Sequence, residues 1–247
     1  MDNQKMSEAT DAYSEGLKHL RYKDPEAALA EFKKAAELNP NSFFAAKSMG
    51  EAFIMLGRYE EALPVLRRAT DIRARFRSPP DPDVSRLLGE CHFGKGMFNE
   101  AIEHYTDSLK SNYDYGDLFF KRGLSYYNLE RYGEALVDFR MAQKCRRRSD
   151  NLVDSELDCY SALCFDKLGN YGAAQAAFKA FMDSNPPDDE KKAIAERLNE
   201  LELLLDKKPR KPEPQDSKPG FRCTKCIIIP GKNPEKGLIR ITYRYMK

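Results

Sequence analysis

Between Phe43 and Arg75, large apolar residues fall at Phe53, Leu56, Tyr59, Leu63 and Leu66, with small residues at Gly50, Ala62 and Ala69. Spacings that mix three and four belong to amphipathic helices. The Leu-Gly-Arg-Tyr stretch at 56–59 interrupts the stripe, so the segment reads as two helices joined by a tight turn. The same punctuation returns at 129–132 and 168–171, and more loosely at 95–98. A second pattern runs beneath the first, a glycine followed twelve residues later by an alanine. Gly16 pairs with Ala28, Gly50 with Ala62, Gly89 with Ala101 and Gly123 with Ala135, while Ala162 replaces the glycine in a fifth copy with Ala174. The steps between copies are 34, 39, 34 and 39 residues. A period of this length indicates stacked supersecondary units. The small residues are expected where the two backbones of a pair come closest, because a packed interior has no room for a larger side chain.

This helix–turn–helix pattern resembles the tetratricopeptide repeat (TPR). Aligned copies occupy 9–42, 43–76, 82–115, 116–149 and 155–188. The aromatic after the turn is Tyr59, Phe98, Tyr132 and Tyr171, with Pro25 in the first copy. The large residue in the second helix is Phe32, Leu66, Tyr105, Phe139 and Phe178, and the closing proline is present as Pro40 and Pro186. The resemblance implies an all-α fold, a right-handed superhelical TPR solenoid of five repeats plus a capping helix. On this reading 1–8 is an N-terminal extension and 9–206 is the array. Residues 77–81 and 150–154 are insertions that lengthen a helix or its loop, and Pro79 and Pro80 favour loop. Over 188–205, Ile194, Leu198, Leu201, Leu204 and Leu205 share one helical face, which suits a cap on the last exposed core surface.

Composition adds limits. An apolar content of 41% with 14 Phe and 13 Tyr excludes a wholly disordered chain. No run of eighteen apolar residues marks a membrane span, and the first residues lack the apolar stretch of a secretion signal. Six cysteines in such a chain are expected as reduced thiols, which favours the cytoplasm, with the nucleus as the alternative. The net charge of +2 conceals an asymmetry: residues 207–247 hold twelve Lys/Arg against three Asp/Glu, or +9, leaving 1–206 at −7.

That basic segment divides in two. Residues 207–220 read as a flexible Pro/Lys-rich linker. Within 221–247, Ile239, Ile241, Tyr243 and Tyr245 alternate with Arg240, Thr242 and Arg244, and with the apolar run 226–229 they suggest a β-hairpin. A lone hairpin is marginal in water, so it is expected to order on a second protein or on its own repeat body. Cys223 and Cys226 form a single CxxC pair, short of the four ligands of a structural metal site, and no metal is expected without dimerisation or body cysteines.

Sequence chemistry is sparse. His19 and His92 occupy the helix-one slot that holds Phe53, Tyr126 and Phe165 in other copies, an aromatic packing position. No nucleophile elbow, phosphate-binding glycine loop or HExxH metal motif occurs, so neither an enzyme nor a cofactor is expected. The resemblance instead implies a concave groove lined by the first helix of each repeat. Its candidates are Lys47, Glu51 and Ile54 in repeat two, and Arg86, Glu90 and Phe93 in repeat three. Repeat four adds Lys121, Leu124, Tyr127 and Asn128, and repeat five adds Tyr160, Leu163 and Lys167. No copy supplies the Lys/Asn pair with which TPR cochaperones grip a terminal carboxylate.

The reading is a protein–protein interaction scaffold or adaptor that binds peptide segments of one or more partners in this groove. One alternative is a subunit of a nucleic-acid complex, using the basic tail with the clusters Arg67/Arg68, Arg73/Arg75/Arg77 and Arg146–Arg148. The net acidic body argues against that, and the other alternative is a cochaperone without a carboxylate clamp.

Overall fold

The computed structural model of the protein describes residues 3–110, 116–145, 154–184 and 188–207. The described residues form eleven α-helices and no strand. In order these are α1 (Asn3–Arg21), α2 (Pro25–Leu38), α3 (Phe43–Met55), α4 (Tyr59–Arg75), α5 (Pro82–Gly94) and α6 (Phe98–Leu109). They continue as α7 (Gly116–Asn128), α8 (Tyr132–Cys145), α9 (Asp154–Lys167), α10 (Tyr171–Asp183) and α11 (Asp188–Lys207). Consecutive odd and even helices pack as pairs, one pair per aligned repeat, and each second helix also packs on the first helix of the next pair. Helix α11 closes the series against α10.

Local chemistry fixes the helix starts. Asp24, Ser42 and Asp81 accept hydrogen bonds from the backbone amides of Ala27, Ala45 and Val84 at 3.1–3.2 Å. Each such cap is worth about 1 kcal/mol. Pro25 and Pro82 occupy first-turn positions, where the missing N–H leaves no bond unmade. The turn inside each repeat needs one residue in the left-handed region. Gly57, Gly96 and Gly169 supply it with φ of 69–73°, while Lys23 and Glu130 adopt φ of 59° at the equivalent places.

The repeated glycine has a more specific neighbour than the sequence pattern indicates. A Cβ added at Gly16, Gly89 or Gly123 would meet the ring of Phe32, Tyr105 or Phe139 at 2.5–2.6 Å, and one at Gly50 would meet the Leu66 side chain. The glycine therefore makes room for the large second-helix side chain, not for the alanine. Phe32, Leu66, Tyr105, Phe139 and Phe178 are all at most 2% exposed. Burial of Leu66 and of each phenylalanine contributes roughly 1.5–3 kcal/mol.

Residues 77–81 lie in the connection after α4. Helix α4 extends to Arg75, and residues 76–81, with Pro79 and Pro80, form the connection to α5. Nearly all of the second insertion, and the closing Pro186, lie outside the described residues.

The buried side chains fall into successive blocks. One runs from α2 to α5, from Phe32 through Leu66 to Leu87. A small one joins Ala101, Tyr105 and Leu118. A third, around Phe120, Phe139 and Cys164, spans α7 to α9, and a fourth, around Phe178, Phe181 and Leu201, spans α9 to α11. Two bidentate ion pairs brace the later part. Arg122 on α7 donates Nε and Nη2 to the buried carboxylate of Asp138 on α8, both at 2.7 Å. Arg197 on α11 grips Asp166 on α9 at 2.7–2.8 Å.

Candidate functional site

The first helices of the repeats carry a row of equivalent positions, four residues after each repeat start. Those positions hold Tyr13, Lys47, Arg86, Phe120 and Cys159, and the same step from α10 into α11 reaches Ala193. The row is charged in the middle repeats and apolar afterwards.

The charged part neutralises itself. Lys47 Nζ lies 2.8 Å from Asp83 Oδ2 and 3.6 Å from Asp81 Oδ1, across α3 and the start of α5. On α5, Glu90 Oε1 accepts from Arg86 Nη1 at 2.7 Å and from Lys121 Nζ of α7 at 2.6 Å. Glu51 adds a further attraction to the Arg86 guanidinium. The basic residues Lys47, Arg86 and Lys121 are thus interleaved with carboxylates. Lys167 is exposed, and no ion pair is recorded for it among the described residues. Asn128 is exposed and donates Nδ2 to the Leu124 carbonyl at 2.8 Å. Ile54 and Phe93 are half-buried against the core.

The apolar part opens into a cavity of about 370 Å³ between α7, α9 and α11. Leu124, Tyr160 and Leu163 line it, joined by Phe120, Cys159, Phe181, Ala193 and Ile194, with Glu156 also on its wall. Edge-to-face contacts fix the rings: Tyr160 lies 5.9 Å from Phe120 and 5.5 Å from Tyr127, which itself meets Tyr132 at 5.6 Å. Phe120 and Cys159 were legible from the four-residue offset, whereas Lys121 and Tyr160 sit one residue later. The contribution of α11 follows from the same step, which makes the cap half of a sixth repeat.

The titratable groups point to packing. Burial pushes the Cys91 and Cys164 thiols up to about 12, so neither is a thiolate near neutrality. His92 is buried, as its aromatic slot suggested, and stacks on His104 with ring centroids 5.1 Å apart. Burial lowers both imidazoles below their ordinary value, and for His92 the neighbouring His104 adds to the effect. Among the described residues no cluster of three or more His, Cys, Asp or Glu is placed to hold a metal. Nor is any described helix long and apolar enough to cross a membrane. Cys223, Cys226, Ile239, Ile241, Tyr243, Tyr245 and the Arg146–Arg148 cluster lie outside the described residues.

Helix pairs at a repeating step, with one continuous first-helix face and a half-repeat cap, define a helical-repeat scaffold. Tetratricopeptide repeat models match residues 42–112 and 88–151. The chain is 31% identical over 120 residues to small glutamine-rich tetratricopeptide repeat-containing protein 2 of Mycosarcoma maydis, covering 49% of this chain and 32% of that protein. It is 28% identical over 104 residues to human tetratricopeptide repeat protein 12, covering 42% and 14% respectively. The matched segments thus span at most about a third of these curated relatives. Among solved structures, the MamA protein superposes with a TM-score of 0.61 at 19% identity, over 75% of this chain and 93% of that one. Pseudomonas aeruginosa PilF gives a TM-score of 0.64 at 17% identity, over 82% and 88%. Residues 42–151 thus carry tetratricopeptide repeats, a family whose repeats form a non-catalytic scaffold for protein interaction.

Proposed function

We propose that the first-helix face is a peptide-binding groove and that the cavity between α7, α9 and α11 receives an apolar side chain of the bound segment. The observation that carries this reading is the cavity itself: about 370 Å³, open, and walled by Phe120, Leu124, Tyr160 and Leu163 from two successive first helices. Its size lies within the roughly 300–1,000 Å³ of sites that enclose small ligands. Rigid aromatic walls around an apolar pocket are where binding hot spots concentrate.

Toward α3 and α5, the paired charges give the groove polarity without a strong net field. A bound segment meets Lys47, Arg86 and Lys121 already engaged by Asp83 and Glu90. Its own carboxylates or carbonyls exchange with those partners, so this stretch selects for geometry more than for net charge. The protein thereby acts as an adaptor that holds a partner segment and catalyses nothing itself.

The test is selection of peptides from a random phage-displayed library on the immobilised 247-residue chain, followed by titration of the selected peptides. Ala193 is exposed and lines the cavity, so Ala193→Trp fills the space while leaving the core intact. Selected peptides should share a large apolar residue and lose roughly tenfold or more in affinity for A193W, as when one hot spot is removed. Unchanged affinity for A193W with an unaltered helical spectrum would remove the cavity from the interface.

A further inference from the structure

Two large apolar side chains stand in solvent where the 39–42 loop meets the end of α4. Phe44 is 62% exposed and Phe76 is 69% exposed. Both line a cavity of about 390 Å³, whose wall also includes Phe43, Ile72, Arg73 and Ser78. On its other side, Phe44 borders a second hollow with Met6 and Tyr13, and Met6 is itself 43% exposed. Contiguous exposed apolar surface of this kind marks an interaction site.

The surface is held in place. Arg68 Nη2 donates to the Pro40 carbonyl at 2.7 Å, tying α4 to the first loop. Arg73 Nε donates to the Pro79 carbonyl at 2.8 Å, tying α4 to the second. The end of α4 closes with the Ser78 amide on the Arg73 carbonyl and the Arg77 amide on the Ala74 carbonyl, each at 3.0 Å. This double closure places Arg77 in the left-handed region with φ of 52°, where glycine is the usual occupant. The 77–81 insertion therefore shapes one wall of the cavity and carries an arginine in a glycine conformation beside the exposed Phe76.

Charge identifies the occupant. Arg75 and Arg77 flank Phe76, both are exposed, and no ion pair is recorded for either among the described residues. Arg73 lies over the Phe43 ring at 5.0 Å and faces Asp81 at 3.7 Å. We propose that this face docks an acidic amphipathic segment of a partner protein. Its apolar side chains would cover Phe44 and Phe76, and its carboxylates would engage Arg75 and Arg77. A second copy of this chain fits less well, because a two-fold contact through this face brings the same arginines together. A polyanion such as nucleic acid finds no use for the exposed phenylalanines. The face shares no lining residue with the cavity between α7, α9 and α11.

The experiment uses the 247-residue chain and a fluorescein-labelled peptide in which Phe and Leu alternate with Asp and Glu. A control peptide keeps the Phe and Leu and carries Lys at every acidic position. In fluorescence anisotropy the acidic peptide should bind, more weakly as salt rises, while the basic control binds at least about tenfold less tightly. Arg75→Glu with Arg77→Glu should weaken the acidic peptide by a similar factor, and Phe44→Ser with Phe76→Ser should abolish binding; both pairs are exposed and should leave the helical spectrum unchanged. Ala193→Trp should have no effect. The proposal is overturned if neither peptide binds, if both bind alike, or if charge reversal leaves affinity intact. It is also overturned if sedimentation shows a dimer that Phe44→Ser with Phe76→Ser dissociates, which would assign the face to a second copy.

Discussion

A single methyl group at Gly123 tests how the repeat pairs are packed. A Cβ there would sit 2.6 Å from Cε1 and 2.8 Å from Cδ1 of Phe139, and 3.3 Å from the Asp138 Cβ. Phe139 is 2% exposed, and the Asp138 carboxylate is anchored by Arg122, so neither neighbour yields freely. Overpacking of this kind costs about 1–3 kcal/mol. Replacing a helical glycine by alanine returns roughly 0.5–1 kcal/mol through backbone entropy. The net expectation for Gly123→Ala is a loss of roughly 1–2 kcal/mol, or about 2–8 °C in melting temperature for an array of this size. Gly133, in the next helix, is the internal control. A Cβ there meets nothing within 4 Å, so Gly133→Ala should gain roughly 0.5–1 kcal/mol. Thermal and guanidinium unfolding followed by far-UV circular dichroism reads both. A double-mutant cycle isolates the cause: on a Phe139→Ala background, Gly123→Ala should become neutral or stabilising. If Gly123→Ala matches the wild type, or its cost persists without the Phe139 ring, the close-approach account is wrong.

Two further outcomes follow from the buried polar groups. Asp138→Ala strands the Arg122 guanidinium between α6, α7 and α8 and should cost about 3 kcal/mol by urea unfolding, whereas Arg122→Met with Asp138→Leu should recover much of it; a loss below about 0.5 kcal/mol for the single variant would contradict burial of the pair. His92 and His104 both have lowered folded-state pKa values, so the unfolded chain takes up protons first as pH falls below the ordinary imidazole range; melting temperature should drop between about pH 7 and 5, and His92→Phe should shrink the drop, with an unchanged profile counting against the buried stack.

Much of the fold was legible because the repeat writes the same packing problem five times. The glycine, the alanine twelve residues on and the large residue four beyond that sit at fixed offsets, and the structure buries every one of those large side chains. The candidate site was less legible, for a physical reason. Lys47, Arg86 and Lys121 stand among the candidates of three successive repeats, and all are basic. A lysine is long enough to reach Glu90 from one position off the row, so charge concealed that the equivalent residue is Phe120. Asp81 and Asp83 reach Lys47, and Glu90 reaches Lys121, from outside the basic residue's own repeat, and the spacing inside one repeat cannot reveal such partners; only the Arg86–Glu90 pair lies on a single helix, four residues apart. The packing role of His104 is not legible in the sequence, because its stacking partner lies on the other helix of the pair. Lys23 and Glu130 carry no glycine, yet the turn imposes the glycine conformation on them, since the flanking helices decide where the chain must reverse.

The division of the buried side chains into blocks has a consequence for how binding would be felt. In a linear array each unit is stabilised only by its neighbours, so the ends open before the middle. The cavity lined by Phe120, Tyr160, Phe181 and Ile194 straddles the junction of the last two blocks. A segment seated there would staple that junction and slow amide exchange in α10 and α11, with little change in α3 or α4. A segment lying on Phe44 and Phe76 would protect the opposite end, because Phe43 and Ile72 belong to the first large block. The small block at Ala101, Tyr105 and Leu118 separates the two ends and carries little buried surface of its own. Two guests on this scaffold would then be nearly indifferent to one another, and the occupancy of one end would leave the other free to exchange its partner at its own rate.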